Sequence, residues 1–228
     1  MIKIFKKICD TKPILLMLCL FTASSLFAEQ YQYKTSVKGD VFTTTINIEK
    51  LPGSDKYLLS SLDKMTGKSH QITLNSGYES IQWVIKNTNG ETITFNRDNN
   101  IVKVIGIHAG EHIAKSIKID EAPWFASLDF GIQAFCKSGK AEISFWVIDP
   151  SNLKPHLMTL TRMNEETVSH ADKKTQTVKI RITASGVPAI FFNMNYWTRT
   201  TDGLPVRSET KQGGPLSPTI LNELIIND

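Results

Sequence analysis

The sequence predicts a mainly β protein of the α+β class, built as a curved antiparallel sheet or half-barrel with one internal helix and a short C-terminal helix. Two observations predict this class. Runs of alternating or β-branched residues, separated by turn residues, recur along most of the chain. Two segments instead repeat apolar residues at steps of three and four, which is the helical period.

The predicted strands follow one another as a meander. The clearest turn is Asn89-Gly90, because this pair adopts positive φ at little cost and favours a tight hairpin. The runs on either side of it, residues 80–86 and 92–95, are therefore expected to pair. The full set of predicted strands is residues 41–48, 71–74, 80–86, 92–95, 101–105, 142–148, 157–161, 177–182, 190–197 and 204–209.

The internal helix is predicted between Pro123 and Gly139. Proline is favoured in the first turn of a helix, and glycine is favoured just beyond the last turn. The apolar stripe between them consists of Trp124, Leu128, Ile132 and Phe135.

A second, short helix is predicted near the C-terminus. Ser217 is the expected N-cap and Pro218 the expected first helical residue. Its apolar face would consist of Ile220, Leu221, Leu224 and Ile225. The order of strands and helices predicts one sheet curved around helices.

Residues 1–28 have the organisation of a secretory signal peptide. Lysines at positions 3, 6 and 7 precede the apolar run 14–21, and small residues lead to Ala28. Cleavage is expected after Ala28, which leaves residues 29–228 as a single β-rich domain. The sequence therefore predicts a periplasmic or secreted protein.

The net charge of the chain is +4, but the predicted signal peptide carries most of it. Four lysines against one aspartate give residues 1–28 a charge of +3, so the remaining domain is nearly neutral. Nucleic-acid binding needs clustered basic charge, and the domain lacks that excess. Of three cysteines only Cys136 remains after the signal peptide, and a buried structural thiol is expected there.

A histidine pair is the one candidate for a metal site. His108 and His112 would face the same metal if they lay on a helix. Gly106 and Gly110 favour a hairpin instead, so a solvent-exposed turn is the alternative interpretation. No metal and no cofactor is predicted.

Catalytic signatures are missing from the sequence. It contains no nucleophile-elbow, phosphate-loop or dinucleotide motif. Asp129 and Asp149 are the candidate acids, although the Pro-Ser-Asn that follows Asp149 favours a turn role for that residue. An enzyme with a dispersed active site remains an open alternative.

Large aromatic residues are the sharper feature. Adjacent aromatic pairs such as those at 145–146 and 196–197 point one ring to each face of a strand, so both faces carry large apolar groups. One face would form the core, and the other would line a ligand cavity or meet a covering element. The predicted ligand-binding residues are Trp83, Trp124, Trp146, Phe191 and Trp197.

Arginines flank the predicted turn at Asp202-Gly203. Arg199 and Arg207 would hold an anionic headgroup at the mouth of the cavity, with Arg207 at its rim. The alternative is that they are ordinary edge-strand charges that block unwanted sheet pairing.

Four segments resemble exported bacterial β-proteins of unknown function in the LolA/LolB lipoprotein-carrier fold group. They are the aromatic-ended hairpin at 196–209, the helix start at 122–125, the strand at 145–150 and the segment 213–218. The resemblance implies a curved, incomplete antiparallel barrel closed by helices around an apolar hollow suited to acyl chains. It assigns no functional residue to this chain.

Two functional hypotheses follow. The first is a periplasmic binding protein that shelters a hydrophobic small molecule, lipid or acyl chain in the hollow of the sheet. The second is a non-enzymatic envelope protein that binds a protein partner through its aromatic face. Both hypotheses are compatible with peripheral contact between the protein and a membrane.

Overall fold

The computed structural model describes residues 28–64, 66–170, 173–186, 192–212 and 218–225. The predicted signal peptide, apart from Ala28, lies outside these residues, as does Phe191. No helix among the described residues is both long and apolar enough to cross a membrane.

The described residues form a single antiparallel sheet of fourteen strands that is open and curved, and one helix. The mainly β prediction is therefore confirmed. The strands are β1 (Ala28–Val37), β2 (Asp40–Lys50), β3 (Tyr57–Leu62), β4 (Ser69–Leu74), β5 (Ser80–Lys86), β6 (Thr92–Asp98), β7 (Ile101–His108), β8 (Glu111–Lys118), β9 (Glu142–Asp149), β10 (Lys154–His170), β11 (Lys173–Ala184), β12 (Phe192–Arg199), β13 (Pro205–Gln212) and β14 (Thr219–Ile225).

The sheet is a meander joined to itself through its first and last strands. Its order runs from β8 back to β1, then from β14 back to β9, so β1 pairs with β14 in the middle of the sheet. Thr35 lies opposite Asn222 in that pairing, and Tyr33 lies opposite Leu224. The two edges of the sheet are β8 and β9.

The prediction of a C-terminal helix is wrong. Residues Thr219–Ile225 form β14, which is hydrogen-bonded to β1 on one side and to β13 on the other. A helix of seven residues is marginal by itself, whereas this strand finds a partner on each side. Ser217, the predicted N-cap of this helix, lies outside the described residues.

Three further strands were not predicted: β1, β3 and β8. The first has a clear alternation, with Tyr31, Tyr33 and Thr35 on one face and polar residues between them. β8 is the return strand of a hairpin whose turn residues, Ala109 and Gly110, both have positive φ.

The helix α1 spans Leu128–Ser138, with Ser127 at its N-cap and Gly139 in the left-handed conformation at its C-cap. The predicted end is confirmed, but the helix begins four residues later than Trp124. Residues 123–125 are instead extended against β9: the Phe125 N–H donates to Trp146 O, and the Trp146 N–H donates to Pro123 O, at 3.0 and 2.7 Å. These bonds draw the start of the predicted helix onto the sheet.

Aromatic contacts hold α1 inside the curve of the sheet. The ring of Phe130 lies 5.9 Å from those of Tyr31 and Tyr78, which belong to the first half of the sheet. Ile132 and Phe135 pack into a cluster formed with β9 to β12. The helix therefore joins the two hydrophobic clusters of the core.

The two edges of the sheet approach each other at the β9–β10 turn. His108 Nε2 lies 2.9 Å from Pro150 O, and Lys115 Nζ donates to Leu153 O at 3.3 Å. These side-chain contacts join the end of β7 and the middle of β8 to the turn, without backbone strand pairing.

Candidate functional site

Trp83 on β5 is packed into the core. Its ring stacks on Phe95 with 5.0 Å between the ring centroids, and it lies 5.9 Å from the ring of His70. The indole Nε1 donates to His70 Nδ1 at 3.2 Å. Burial lowers the pKa of His70, which favours the neutral imidazole that can accept this bond.

Trp124 and Trp146 lie opposite each other in a short parallel bridge. Trp124 is fully buried, and its indole Nε1 has no hydrogen-bond partner among the described residues. Trp146 is half-buried and donates from Nε1 to Asp120 Oδ1 at 2.6 Å. The bridge fastens the segment after β8 to β9.

Trp197 and Arg207 lie side by side on β12 and β13. The Arg207 guanidinium lies 5.3 Å from the centre of the Trp197 ring, and Lys179 Nζ lies 5.0 Å from it. Arg207 also pairs with Glu209. Its guanidinium thus contacts an aromatic ring and a carboxylate, while its buried Nε has no hydrogen-bond partner among the described residues.

The structure brings the four tryptophans into one hydrophobic cluster. Trp83, Trp124 and Trp197 are buried members of it, and Trp146 packs against them. They act as core side chains in this arrangement, and their role in ligand binding stays a prediction. The open space that a ligand could enter lies elsewhere.

An apolar groove lies between α1 and the first half of β9, with a volume of about 590 Å³. Phe125 and Phe135 are its buried aromatic residues, and Ile143 is half-buried beside them. Its polar lining includes Lys140 and Glu142, which are exposed. The groove is apolar at its base and charged at its rim, as ligand sites commonly are.

The groove runs along a free strand edge. In β9 the backbone groups of Trp146 point away from β10, because they bond to Pro123 and Phe125. Residues two apart in a strand point their backbone groups to the same side, so those of Ser144 and Glu142 also point away from β10. Within the described part of the chain, no strand pairs with that stretch of β9.

A smaller cavity of about 140 Å³ lies within the curve of the sheet. Asp129, in the first turn of α1, borders it and is half-buried. Burial raises the pKa of its carboxyl group to about 6. Asp129 in turn helps to raise the pKa of both Tyr33 and Tyr196, for which burial is the main cause.

The wall of this cavity is a row of hydrogen-bonding side chains on neighbouring strands. Thr35 donates to Asn222 Oδ1 at 2.6 Å, and Asn222 Nδ2 donates to Ser208 Oγ at 3.0 Å. Tyr196 lies opposite Ser208 in the register of β12 and β13. Tyr33 donates from its hydroxyl to Pro205 O at 3.2 Å.

The sequence singled out Asp129 as a candidate acid and Arg207 as a candidate ligand-binding residue, and both border this cavity. It missed most of the other residues there. Tyr33, Thr35 and Asn222 lie on β1 and β14, the first strand unpredicted and the second predicted as a helix. The alternation of tyrosine and threonine in residues 31–35 was the signal that could have found β1.

The histidine pair lies on the β7–β8 hairpin. His108 is opposite Glu111 and His112 is opposite Ile107 in the register, so the two imidazoles project from opposite faces. Among the described residues, no group of three or more histidine, cysteine, aspartate or glutamate side chains could hold a metal ion.

Cys136 is half-buried on α1, and its Sγ lies 3.3 Å from Thr198 Oγ1. Burial raises the pKa of its thiol, although the bond to Thr198 acts in the opposite direction. A thiol with a raised pKa is a poor nucleophile at neutral pH.

Two charged candidates have local roles in turns. Asp149 accepts hydrogen bonds from the Ser151 N–H and hydroxyl and from Asn152 Nδ2, which confirms its predicted turn role. Arg199 forms a two-pronged ion pair with Asp202 in the β12–β13 turn.

Comparison with known proteins identifies similar folds and no family. No family model matches the chain, and no curated protein matches it. A crystal structure of a β-barrel-like protein of domain of unknown function DUF1849 from Brucella abortus has a TM-score of 0.56 at 8% identity, covering 87% of this chain and 94% of that one. The hypothetical lipoprotein YmcC from Escherichia coli (K12) has a TM-score of 0.37 at 8% identity, covering 87% and 84%. At this identity the first likeness shows that the fold is β-barrel-like, and the LolA/LolB resemblance stays a prediction.

Proposed function

We propose that this chain is an exported, non-enzymatic binding protein of the cell envelope that holds an apolar chain, such as the acyl chain of a lipid, in the groove between α1 and β9. The observation that carries the proposal is the groove itself, with Phe125, Phe135 and Ile143 as its apolar lining and Lys140 at its rim. An acyl chain would bury its methylenes against the first three residues, while Lys140 would attract an anionic headgroup.

The volumes of the two spaces favour the groove over the interior cavity as the site for an acyl chain. Sites for drug-sized ligands run about 300–1,000 Å³. The groove, at about 590 Å³, lies within that range. The cavity beside Asp129, at about 140 Å³, is below it and is lined mainly by polar side chains.

Export belongs to the same proposal. The predicted signal peptide ends at Ala28, which is also the first residue of β1. Removal of residues 1–28 would leave the rest of that strand, and every other strand, in place.

A fluorescent fatty acid tests the proposal. Purified residues 29–228 are titrated into cis-parinaric acid, and binding is measured by the rise in its fluorescence. We expect saturable binding, and we expect Ile143→Asp to weaken it at least about tenfold, because a carboxylate in the groove would have to be desolvated.

Ile105→Asp is the matched control, since Ile105 is on β7 and its side chain is 57% exposed. This variant should bind like the wild type. Absence of saturable binding, or equal loss in the two variants, would overturn the proposal. Circular dichroism shows that each variant is folded.

A second candidate function is supported by the free edge of β9. An extended segment of an envelope protein would add to the sheet there, with its backbone bonded to Ser144 and Glu142 and its apolar side chains in the groove. The segment 123–125 already bonds to the same edge at Trp146.

Ser144→Pro separates the two candidates. The Ser144 N–H points away from β10, so proline there removes a bond to an added strand without removing one inside the sheet. A photo-crosslinker at Glu142 in living cells should give one discrete protein adduct, which Ser144→Pro abolishes and Ser144→Ala keeps. Fatty-acid binding that survives Ser144→Pro, with no adduct in any variant, would reject strand addition.

A further inference from the structure

A carboxyl group borders the interior cavity without a partner. Burial is the one influence found to shift the pKa of Asp129, so no cation and no hydrogen-bond donor among the described residues compensates its charge. Arg207 also borders the cavity and contacts Trp197 and Glu209, while its buried Nε has no hydrogen-bond partner among the described residues. Its charge is not among the causes that shift the pKa of Asp129. A buried carboxylate in such a setting either takes up a proton or needs a cation.

The residues facing Asp129 offer oxygen atoms. Tyr33 from β1 and Tyr196 from β12 present hydroxyl groups, and Thr44 from β2 presents another. Asn222 and Ser208 complete the wall through the hydrogen-bonded row described above. Hydroxyl oxygens accept hydrogen bonds as well as donate them, so the wall can solvate an ammonium group and a second polar group beside it.

We infer that this cavity is a second binding site, separate from the groove, for a small organic ammonium ion that pairs with Asp129 and places a hydroxyl or similar polar end against Ser208 and Asn222. The cavity measures about 140 Å³. An engineered cavity of about 150 Å³ in another protein admits benzene, so the ligand has about six non-hydrogen atoms or fewer. That limit excludes a whole lipid and admits a compound of the size of ethanolamine.

Ethanolamine and ethylene glycol are the matched probes, because they differ in one end group and in charge. The thermal unfolding temperature of residues 29–228 is followed against each probe at pH 8. We expect ethanolamine to raise it in a saturable way and ethylene glycol to leave it unchanged. At pH 5 the ethanolamine affinity should be about tenfold lower, since protonation of Asp129 removes its charge while the ammonium persists.

Three variants locate the effect. Asp129→Asn should abolish the response to ethanolamine at constant side-chain size. Thr44→Leu should also abolish it, by filling the cavity with apolar atoms. Asp55→Asn is the control for loss of one negative charge, because the Asp55 side chain is 90% exposed, and it should respond like the wild type.

Equal responses to ethanolamine and ethylene glycol, no response to either, or a full response in Asp129→Asn would overturn the inference. Ile143→Asp should keep the ethanolamine response, so failure of the groove proposal and failure of this one are separate outcomes.

Discussion

Gly203 lies directly against Cys136, so the β12–β13 turn approaches the last turns of α1 with no room for a side chain at position 203. A Cβ atom on Gly203 would be 2.8 Å from Cys136 Cβ and 3.1 Å from Gln133 O. Gln133 Nε2 also donates to Asp202 O at 3.3 Å, in the same turn. The helix that borders both candidate sites is therefore positioned by this turn.

Gly203→Ala should destabilise the protein by about 2–4 kcal/mol, which combines overpacking against α1 with the cost of positive φ for a residue with a Cβ. The φ of Gly203 is 74°. Urea denaturation measures the change. Gly53→Ala is the control, because Gly53 has a φ of 67° and no atom within 4 Å of the added Cβ. A loss no larger than that of the control would mean that the contact with α1 is not tight.

Asp129→Asn should stabilise the protein at neutral pH. Its pKa is about 6 in the folded protein against an ordinary value of 3.8, so the folded state binds the proton more tightly. Asp129 makes its full contribution to the free energy of unfolding below about pH 4. This contribution, about 2–3 kcal/mol, is lost as the pH rises through 6. The amide carries no charge and avoids that loss.

Urea denaturation of Asp129→Asn and wild type at pH 4 and pH 7.5 checks this expectation. The variant should have a higher free energy of unfolding than the wild type at pH 7.5 and about the same value at pH 4. Tyr33 and Tyr196, which face Asp129, have pKa values raised well above 10 and stay neutral throughout this range. An equal difference at both pH values would contradict the assignment of the effect to ionisation of Asp129.

Gly131→Ala should destabilise the protein although alanine favours helices. Within a helix, replacing glycine by alanine alone stabilises the helix by about 1 kcal/mol. Here, however, the new Cβ would lie 2.5 Å from Phe125 Cγ. Overpacking costs about 1–3 kcal/mol, and we expect it to prevail. Phe125→Ala removes the ring atoms that the new Cβ would meet, so the double mutant Gly131→Ala/Phe125→Ala should be more stable than additivity predicts. Thermal unfolding of the four proteins closes this double-mutant cycle.

Cys136 should react slowly with thiol reagents in the folded protein. Burial and a raised pKa both reduce the thiolate that reacts, so labelling by iodoacetamide at pH 8 should be at least about tenfold slower than in guanidinium chloride. The domain after residue 28 has no other cysteine, so the label reports this thiol alone. Equal rates with and without denaturant would show that the thiol is freely accessible.

Local signals predicted much of the fold. Asn-Gly between two alternating runs predicted the β5–β6 hairpin, and the glycine at position 139 predicted the end of α1. The error at β14 has a different origin, because the choice between helix and strand for residues 219–225 depends on β1, almost two hundred residues earlier. A local pattern contains no information about that partner.

The candidate sites were predictable only in part for the same reason. Asp129 is recognisable as an acid within an apolar segment, but its cavity is built from β1, β2, β12, β13 and β14. The groove depends on α1 lying beside the free edge of β9, which no spacing in the sequence specifies. Trp83, Trp146 and Trp197 were correctly expected on strands, whereas Trp124 was expected on the helix and lies in an extended segment before it. The packing of the four into a shared cluster needed the tertiary structure.

The pairing of β1 with β14 has a consequence for the order of events during synthesis. A ribosome makes β1 first and β14 last of the strands, so β1 has a neighbour on one side only until Thr219–Ile225 have been made. Until then β1 and β13 both present open edges that another nascent chain can pair with. Of the described strands, β14 is therefore the one whose addition covers both β1 and β13 and leaves only β8 and β9 as edges of the sheet.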